Sequence, residues 1–315
     1  MSTSTENQIA MRNSESQPEA WVCGSWEPLD RAGLAHDDLG ALQGAVIVER
    51  LRTVGGRLLD TDLHLKRLVV GVDHIQVQLP SRWDVTSIAD EVARRAVDLL
   101  QTDVSVVIVV TPGRVGGDAP TLVVHASPIP WNRLVAWYRG GQRVVTARNR
   151  NVPSACWPIQ LKNRSRMHYF LADQNARQFA ESAGQSGARF AGGLLCDLAG
   201  NLTETSTANV LLLEGESLVS PPMDSILDGI SLKRTVRLAR ELGMRVEHAE
   251  VSPQRARSAN ALVLCGTLGC IWAAASLDNH EFDAADQNDL FSNLQKAWQD
   301  DIGLDFVAQA ARQSE

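Results

Sequence analysis

The chain has 315 residues, of which 44% are hydrophobic and 21% are charged, with a formal net charge of −7 at pH 7. These proportions are typical of a folded globular protein, and the length predicts two domains. The acidic balance argues against nucleic acid or an anionic membrane as a partner. No run of about 18 apolar residues occurs and the N-terminus lacks the apolar core of a signal peptide, so we expect a cytoplasmic protein without membrane spans.

The five cysteines form no recognisable metal or disulfide pattern. They are odd in number and scattered, none forms a C-x-x-C pair, and the histidines near them lack the spacing of zinc ligands. We therefore expect no metal site. Cys265 and Cys270 lie within an apolar run and are interpreted as buried thiols.

The first half of the chain is predicted to be a small α+β domain with largely antiparallel strands. Residues 1–20 are rich in Ser, Thr, Asn, Gln and Glu, which predicts a flexible tail because they cannot bury enough apolar surface to become ordered. Alternating, β-branched or helically spaced apolar residues predict the elements that follow. They are strands at 45–53 and 57–63, helices at 63–75 and 85–100, and strands at 104–111 and 121–129.

A stiff Pro-Ile-Pro-Trp sequence at 128–131 predicts a break between the halves. We place a linker at 131–139, between a small domain at 21–130 and a large domain at 140–315. The large domain is predicted to contain a strand at 143–148, a helix at 163–182, strands at 192–200 and 209–220, a helix at 231–243, a strand at 261–266 and a helix near 287–300.

The segment 194–234 carries the most specific pattern. It contains a strand, a turn, a small-polar tract, a pair of prolines and a helix start, represented by Gly200, Thr203-Glu204, Ser206 to Asn209, Pro221-Pro222 and Leu227 to Ile230. Further motifs occur in order along about 250 residues. They are Glu49 in V-E-R-L-R-T, H-L-K-R-L at 64–68, Lys162 before its helix, and Cys265-Gly266-Thr267 at the end of a strand.

This ordered set resembles the class IV (fold-type IV) pyridoxal-phosphate aminotransferases. The family includes branched-chain aminotransferase, D-amino acid aminotransferase and aminodeoxychorismate lyase. The resemblance implies an α+β two-domain fold, with a smaller N-terminal domain, a larger barrel-like C-terminal domain and the cofactor between them. It also implies a homodimer.

The resemblance assigns the reactive chemistry to two residues. Lys162 would carry pyridoxal 5′-phosphate as a Schiff base and move a proton, and its semi-apolar setting would lower its pKa. Glu204 would keep the pyridine nitrogen of the cofactor protonated. The ordinary alternatives are a surface lysine that ends a loop and a solvated glutamate in a turn.

The phosphate of the cofactor would be held by five residues. Arg67 offers a planar guanidinium that suits phosphate. Ile230 and Ser231 open a helix whose free N–H groups attract anions, although Ser231 also suits an N-cap. Gly266 and Thr267 would add a close backbone approach and a hydroxyl.

The substrate side departs from the family pattern. In the branched-chain and D-amino acid members of the family, an arginine helps to bind the substrate carboxylate. Gly117 stands at the corresponding position here, and Arg114 is nearby but displaced from it. Arg166, four residues after Lys162, is a candidate substrate-binding residue and matches aminodeoxychorismate lyases. We expect transamination between a 2-oxo acid and a branched-chain or other aliphatic amino acid. The alternatives are release of pyruvate from aminodeoxychorismate and, more remotely, a non-catalytic binding protein on the same scaffold.

Overall fold

The computed structural model describes residues 17–283 and 289–314, which form two sheets with helices packed on them. The first part contains β1 (Glu19–Val22), β2 (Ser25–Pro28), α1 (Leu39–Gln43), β3 (Ile47–Val54), β4 (Arg57–Leu58), α2 (Thr61–His74), α3 (Val85–Leu100), β5 (Val104–Thr111), β6 (Thr121–Pro128) and α4 (Trp131–Gly140). Most of the predicted tail lies outside the described residues, but its last two residues begin β1. These two residues, Glu19 and Ala20, belong to the sheet because β1 pairs with β6 and buries Ala20 and Trp21.

The second part contains β7 (Gln142–Arg150), α5 (Met167–Ser182), a short 3-10 helix (Ala188–Phe190), β8 (Gly192–Cys196), β9 (Leu202–Thr205), β10 (Asn209–Glu214), β11 (Ser217–Ser220), α6 (Ile230–Glu241), β12 (Arg245–His248), α7 (Pro253–Ser258), β13 (Ala261–Gly266), β14 (Cys270–Leu277), β15 (His280–Glu281), α8 (Asp289–Ile302) and α9 (Phe306–Gln313).

The first sheet has the strand order β2-β1-β6-β5-β3-β4, and every pairing in it is antiparallel. Helices α2 and α3 pack against it. Their apolar residues, such as Val92 of α3, share a core with the β-branched residues of β3 and β5, including Ile47, Val106 and Ile108. This arrangement is the small, largely antiparallel α+β domain that the sequence predicts.

The second sheet has the order β12-β11-β10-β13-β14-β7-β8-β9, with β15 beside β14. A further pairing of β9 with β10, through Glu204 and Asn209, closes six of the strands into a barrel. The barrel-like domain predicted for the C-terminal half is therefore confirmed. Closure also brings the end of β9, which carries Glu204, beside the start of β10.

The segment 131–139, predicted to be a linker, lies within helix α4. The prolines before it do interrupt β6, and Pro130 stands at the N-cap. The helix forms because Trp131, Leu134 and Trp137 recur at helical spacing and are all buried. Trp137 stacks on Trp272 of β14 with ring centroids 4.9 Å apart, so α4 packs directly on the barrel.

The two sheets meet at the loop before α5. The Val48 N–H of β3 donates to the Lys162 carbonyl at 2.9 Å, and Ile47 forms an isolated bridge with Asn163. Among the described residues, no helix is long and apolar enough to cross a membrane, and no group of three or more His, Cys, Asp or Glu side chains is placed to hold a metal ion.

Candidate active site

One cavity between the two sheets brings together every site residue predicted from the sequence. Its lining includes Arg67, Lys162, Arg166, Glu204, Ile230, Ser231, Gly266 and Thr267. These residues come from α2, the loop before α5, β9, the start of α6, the end of β13 and the turn after it. Residues far apart in the sequence therefore share one small volume at the mouth of the barrel.

Lys162 lies partly buried in the loop that is pinned to β3. Burial and the nearby positive charges of Arg67 and Arg166 lower the pKa of its amine to about 7, although Glu49 and Glu204 oppose the shift. Near neutral pH a large fraction of this amine is therefore uncharged. An uncharged lysine amine is a nucleophile, whereas the ammonium form is not.

Glu204 is buried on β9 and accepts three hydrogen bonds. The Tyr169 hydroxyl donates to Oε1 at 2.7 Å, while Asn209 Nδ2 and the Leu227 N–H donate to Oε2 at 3.2 and 3.1 Å. Burial raises the pKa of Glu204, and the donors and the nearby Lys162 charge limit the rise. The three donors fix the orientation of the carboxylate and leave acceptor capacity for one more group.

Arg67 reaches the cavity from α2 and is held by three hydrogen bonds. Its Nε and Nη2 donate to the two oxygens of Glu49 at 2.7 and 2.9 Å, and its Nη1 donates to the Asp228 carbonyl at 2.9 Å. A guanidinium has five N–H groups, so two remain for an anion. Burial would raise the pKa of Glu49, but the hydrogen bonds from Arg67 and His64 bring it to about 2, which keeps the carboxylate ionised.

The N-terminus of α6 faces the same cavity. Its N-cap residue is Gly229, which makes no side-chain capping bond, so the first N–H groups of the helix keep no side-chain acceptor. Ser231 lies inside the first turn and is not the N-cap that one interpretation of the sequence suggested. Thr267 also lines this cavity. It follows Gly266, where an added Cβ would approach the Thr207 carbonyl oxygen to 2.4 Å.

The donor set fits pyridoxal phosphate. A helix N-terminus, an arginine with two spare N–H groups and a threonine suit a phosphate group. A buried carboxylate suits a protonated ring nitrogen, and a lysine with a lowered pKa suits an aldehyde.

Two residues around Glu204 were missed by the sequence analysis. Tyr169 lies in the first turn of α5 and binds Glu204, and the side chain of Asn209 binds both Glu204 and the Leu227 carbonyl. Asn209 ends the small-polar tract of the motif, so the sequence indicated its place near the site. It did not indicate the hydrogen bonds that its side chain forms. Tyr169 had no distinguishing signal beyond its place early in a predicted helix.

The model of the family "Amino-transferase class IV" matches residues 46–277, which is most of the chain, and the chain belongs to this family. It is 26% identical over 243 residues to a probable branched-chain-amino-acid aminotransferase of Thermotoga maritima, covering 77% of this chain and 80% of that protein. It is 32% identical over 134 residues to a bifunctional aminodeoxychorismate lyase / D-amino acid transaminase of Mycobacterium tuberculosis, covering 38% of this chain and 41% of that protein.

Solved structures share the fold. A hypothetical aminotransferase from Mycobacterium tuberculosis, in its PLP-bound form, has a TM-score of 0.76 at 19% identity and covers 90% of this chain and 99% of its own. The branched-chain aminotransferase of Escherichia coli has a TM-score of 0.77 at 17% identity and covers 91% and 94%. The chain is thus a class IV aminotransferase, an enzyme that uses pyridoxal phosphate to transfer an amino group between an amino acid and a 2-oxo acid.

Proposed function

We propose that Lys162 is the catalytic amine of this aminotransferase and that the transfer runs in two half-reactions at the one cavity. The observation that carries the proposal is the convergence of a lysine of lowered pKa, a buried carboxylate and a helix N-terminus on that cavity. When bound, the cofactor supplies an electron sink for the substrate α-carbon. Lys162 holds the cofactor and then moves the proton at that carbon.

The other predicted residues bind and orient the cofactor. Glu204 keeps the proton on the ring nitrogen, and its three donors hold it in place. The phosphate is bound by Arg67, Ile230, Ser231, Gly266 and Thr267. Each of these residues lines the cavity, and Glu49 keeps the Arg67 fork pointing into it.

A branched-chain or other aliphatic amino acid is the proposed amino donor. The name of the Thermotoga maritima relative supports this choice. A second cavity that also includes Lys162 is lined by four arginines and by Val48, Leu134, Trp137 and Trp272, and these apolar side chains suit an aliphatic substrate.

A homodimer in the cytoplasm is the proposed working form. Val69 and Val70 of α2 and Phe170 of α5 are more than half exposed, and exposed apolar side chains are common where a second subunit packs. All five cysteines are free, as is usual for proteins of a reducing compartment.

Release of pyruvate from aminodeoxychorismate is a second candidate function. Arg166 favours it, because its guanidinium lines the cavity beside Lys162 and would suit an anionic ring substrate. The 32% identity to the bifunctional lyase and transaminase supports the same candidate over part of the chain.

The deciding experiment mixes the holoenzyme with Leu, Ile or Val and follows its visible absorbance. Amino-group transfer to the cofactor should remove the visible band, and 2-oxoglutarate should restore it. Borohydride reduction should fix the cofactor on the peptide that contains Lys162. Label on Lys66 or Lys233 would refute the assignment of the catalytic amine. No change with any aliphatic donor, together with pyruvate release from aminodeoxychorismate, would establish the lyase instead.

A further inference from the structure

The turn between β13 and β14 is held from outside the barrel by two side chains. Arg52 Nη1 donates to the Leu268 carbonyl at 2.7 Å, and the Tyr138 hydroxyl donates to the Gly269 carbonyl at 2.9 Å. Burial raises the pKa of the Tyr138 hydroxyl, which therefore stays protonated and available as a donor. Thr267 opens this turn and lines the proposed cofactor cavity. The two donors therefore fix the turn from which Thr267 faces the cavity.

Arg52 lies on β3 and is fully buried, with most of its donors engaged. Besides its bond to the turn, its Nε donates to the Thr53 carbonyl at 3.3 Å and its Nη2 donates to Gln309 Oε1 at 3.0 Å. Its Nη1 also lies 3.6 Å from the Cys270 sulfur. All of these acceptors are uncharged. A buried guanidinium is costly unless its N–H groups are paired, so these contacts restrict Arg52 to one orientation.

Gln309 of α9 connects Arg52 to a buried carboxylate. Its Nε2 donates to Asp103 Oδ2 at 2.6 Å. Burial would raise the pKa of Asp103, but hydrogen bonds from Gly56 and Gln309, among others, bring it below its ordinary value, so the carboxylate stays ionised. An ionised acceptor on one side of the amide strengthens the hydrogen bond on its other side. The small domain and the last helix therefore orient Arg52 together.

Two other residues of β3 contact further parts of the same site. The Val48 N–H donates to the Lys162 carbonyl at 2.9 Å, and Glu49 accepts from Arg67 at 2.7 and 2.9 Å. Arg52 adds a third contact, to the turn after β13. One strand of the small domain thus touches the loop of the proposed catalytic lysine, the proposed phosphate arginine and this turn.

We propose that Arg52 is a positioning residue for the cofactor phosphate, which it serves by holding the turn after β13 in place. The inference rests on the proposed function, since it assumes that Thr267 binds the phosphate. Arg52 acts through the turn and not by touching the cofactor, because it is not among the described residues that line the cofactor cavity. Without its guanidinium the Leu268 carbonyl loses a donor, and Thr267 is held less firmly for the phosphate.

Pyridoxal phosphate and pyridoxal, which lacks the phosphate, test the inference by absorbance titration of the apoenzyme. Arg52→Met should weaken the binding of pyridoxal phosphate about threefold to tenfold, as expected for one lost hydrogen bond, and that of pyridoxal by less than about twofold. A general loosening of the core would weaken both equally. Arg52→Lys, whose ammonium can still donate to the Leu268 carbonyl, should recover part of the lost affinity.

Two further variants complete the design. Because Arg52 is fully buried, Gln309→Met offers a milder change, which removes one acceptor of the guanidinium and leaves the arginine in place. It should weaken the binding of pyridoxal phosphate in the same direction and by a smaller factor. Arg57→Met makes the same substitution as Arg52→Met at an exposed arginine on β4 and should leave both affinities unchanged.

Equal losses for the two ligands in Arg52→Met and Gln309→Met would overturn the positioning role, as would unchanged affinity for pyridoxal phosphate in both variants. Thr267→Val separates this failure from a failure of the proposed function. If Thr267→Val reduces the preference for the phosphorylated ligand while the Arg52 and Gln309 variants retain it, only the positioning role is wrong. If Thr267→Val also retains the preference, the proposed phosphate site is wrong, and the positioning role is refuted with it.

Discussion

Both carboxylate oxygens of Glu49 accept hydrogen bonds from Arg67, at 2.7 Å from Nε and 2.9 Å from Nη2. His64 lies one helical turn before Arg67 and binds Glu49 through Nδ1 at 2.8 Å. The carboxylate is 1% exposed. Because the pair is buried and bidentate, Arg67 is fixed in one orientation before any anion arrives, and binding an anion costs less side-chain entropy.

Arg67→Ala should weaken cofactor affinity by about 1.5 to 3 kcal/mol, the usual contribution of a hydrogen bond to a charged group. Fluorescence or absorbance titration of the apoenzyme with pyridoxal phosphate measures it. Glu49→Gln should produce a smaller loss in the same direction, since it loosens Arg67 without removing it. Lys66→Ala, an exposed neighbour on α2, is the matched control. Undiminished affinity in Arg67→Ala would place the phosphate elsewhere.

The pKa of about 7 for Lys162 predicts how cofactor capture depends on pH. Only the neutral amine attacks an aldehyde, so the rate at which the apoenzyme takes up the cofactor should rise with pH and level off above about 7. The ordinary pKa of a lysine amine is 10.5. A rate profile with its midpoint near that pH would contradict the lowered pKa of Lys162. Stopped-flow absorbance measures the profile.

Arg166→Met should move that midpoint upward. Arg166 disfavours the charged form of Lys162, so its removal makes the amine harder to deprotonate. Arg94→Met should leave the midpoint in place, since Arg94 lies outside the cavity. A downward shift in Arg166→Met would show that this arginine acts on Lys162 in some other way.

Regular patterns made parts of the fold predictable to the residue. Helix α3 and strands β5 and β13 have the predicted bounds, because apolar residues follow the helical period in the first and β-branched or leucine-rich runs fill the others. Strand β14 was missed because its Ala-Ala-Ala centre lacks β-forming residues. The single strand predicted at 209–220 is a hairpin that turns at Gly215, where φ is +57°.

The residues that line the cavity could be predicted only where they belong to a sequence motif. Glu204 and Thr267 stand in recognisable sequences, so the sequence placed them in one site without any geometry. Arg50 and Arg133 were not predicted as site residues, since each belongs to an ordinary strand or helix. Arg133 reaches the cavity beside Lys162 through the packing of α4 on the barrel, and Arg50 reaches it because β3 is hydrogen-bonded to the Lys162 loop. Contacts between such distant positions depend on tertiary packing and have no local signature.

Gly266→Ala should disturb both the fold and the cofactor site. An added Cβ would lie 2.4 Å from the Thr207 carbonyl, a backbone atom that cannot move without shifting the turn at the barrel mouth. We expect the free energy of unfolding to fall by about 1 to 3 kcal/mol, the usual cost of overpacking, together with weaker cofactor binding. Urea unfolding and cofactor titration measure the two effects.

Gly33→Ala is the control for that substitution, because an added Cβ there meets nothing within 4 Å. Its unfolding free energy should stay within about 1 kcal/mol of the wild type. If Gly266→Ala behaved in the same way, the close approach to Thr207 would not constrain the site.

Glu204→Gln should retain the fold and the cofactor but slow the reaction strongly. The amide oxygen can still accept from Leu227, and the amide nitrogen can donate to the Tyr169 hydroxyl, which then acts as an acceptor. What the variant loses is the negative charge that keeps the ring nitrogen of the cofactor protonated. Turnover should therefore fall far more than cofactor affinity, as measured by single-turnover kinetics beside a cofactor titration.

Tyr169→Phe separates the charge of Glu204 from its positioning. It removes one donor at 2.7 Å and keeps the carboxylate charge, so turnover should fall less than in Glu204→Gln. If Glu204→Gln stayed within about threefold of wild-type turnover, equivalent to about 0.7 kcal/mol of barrier, Glu204 would not be the partner of the ring nitrogen. A larger loss in Tyr169→Phe than in Glu204→Gln would instead assign the essential contact to the tyrosine hydroxyl.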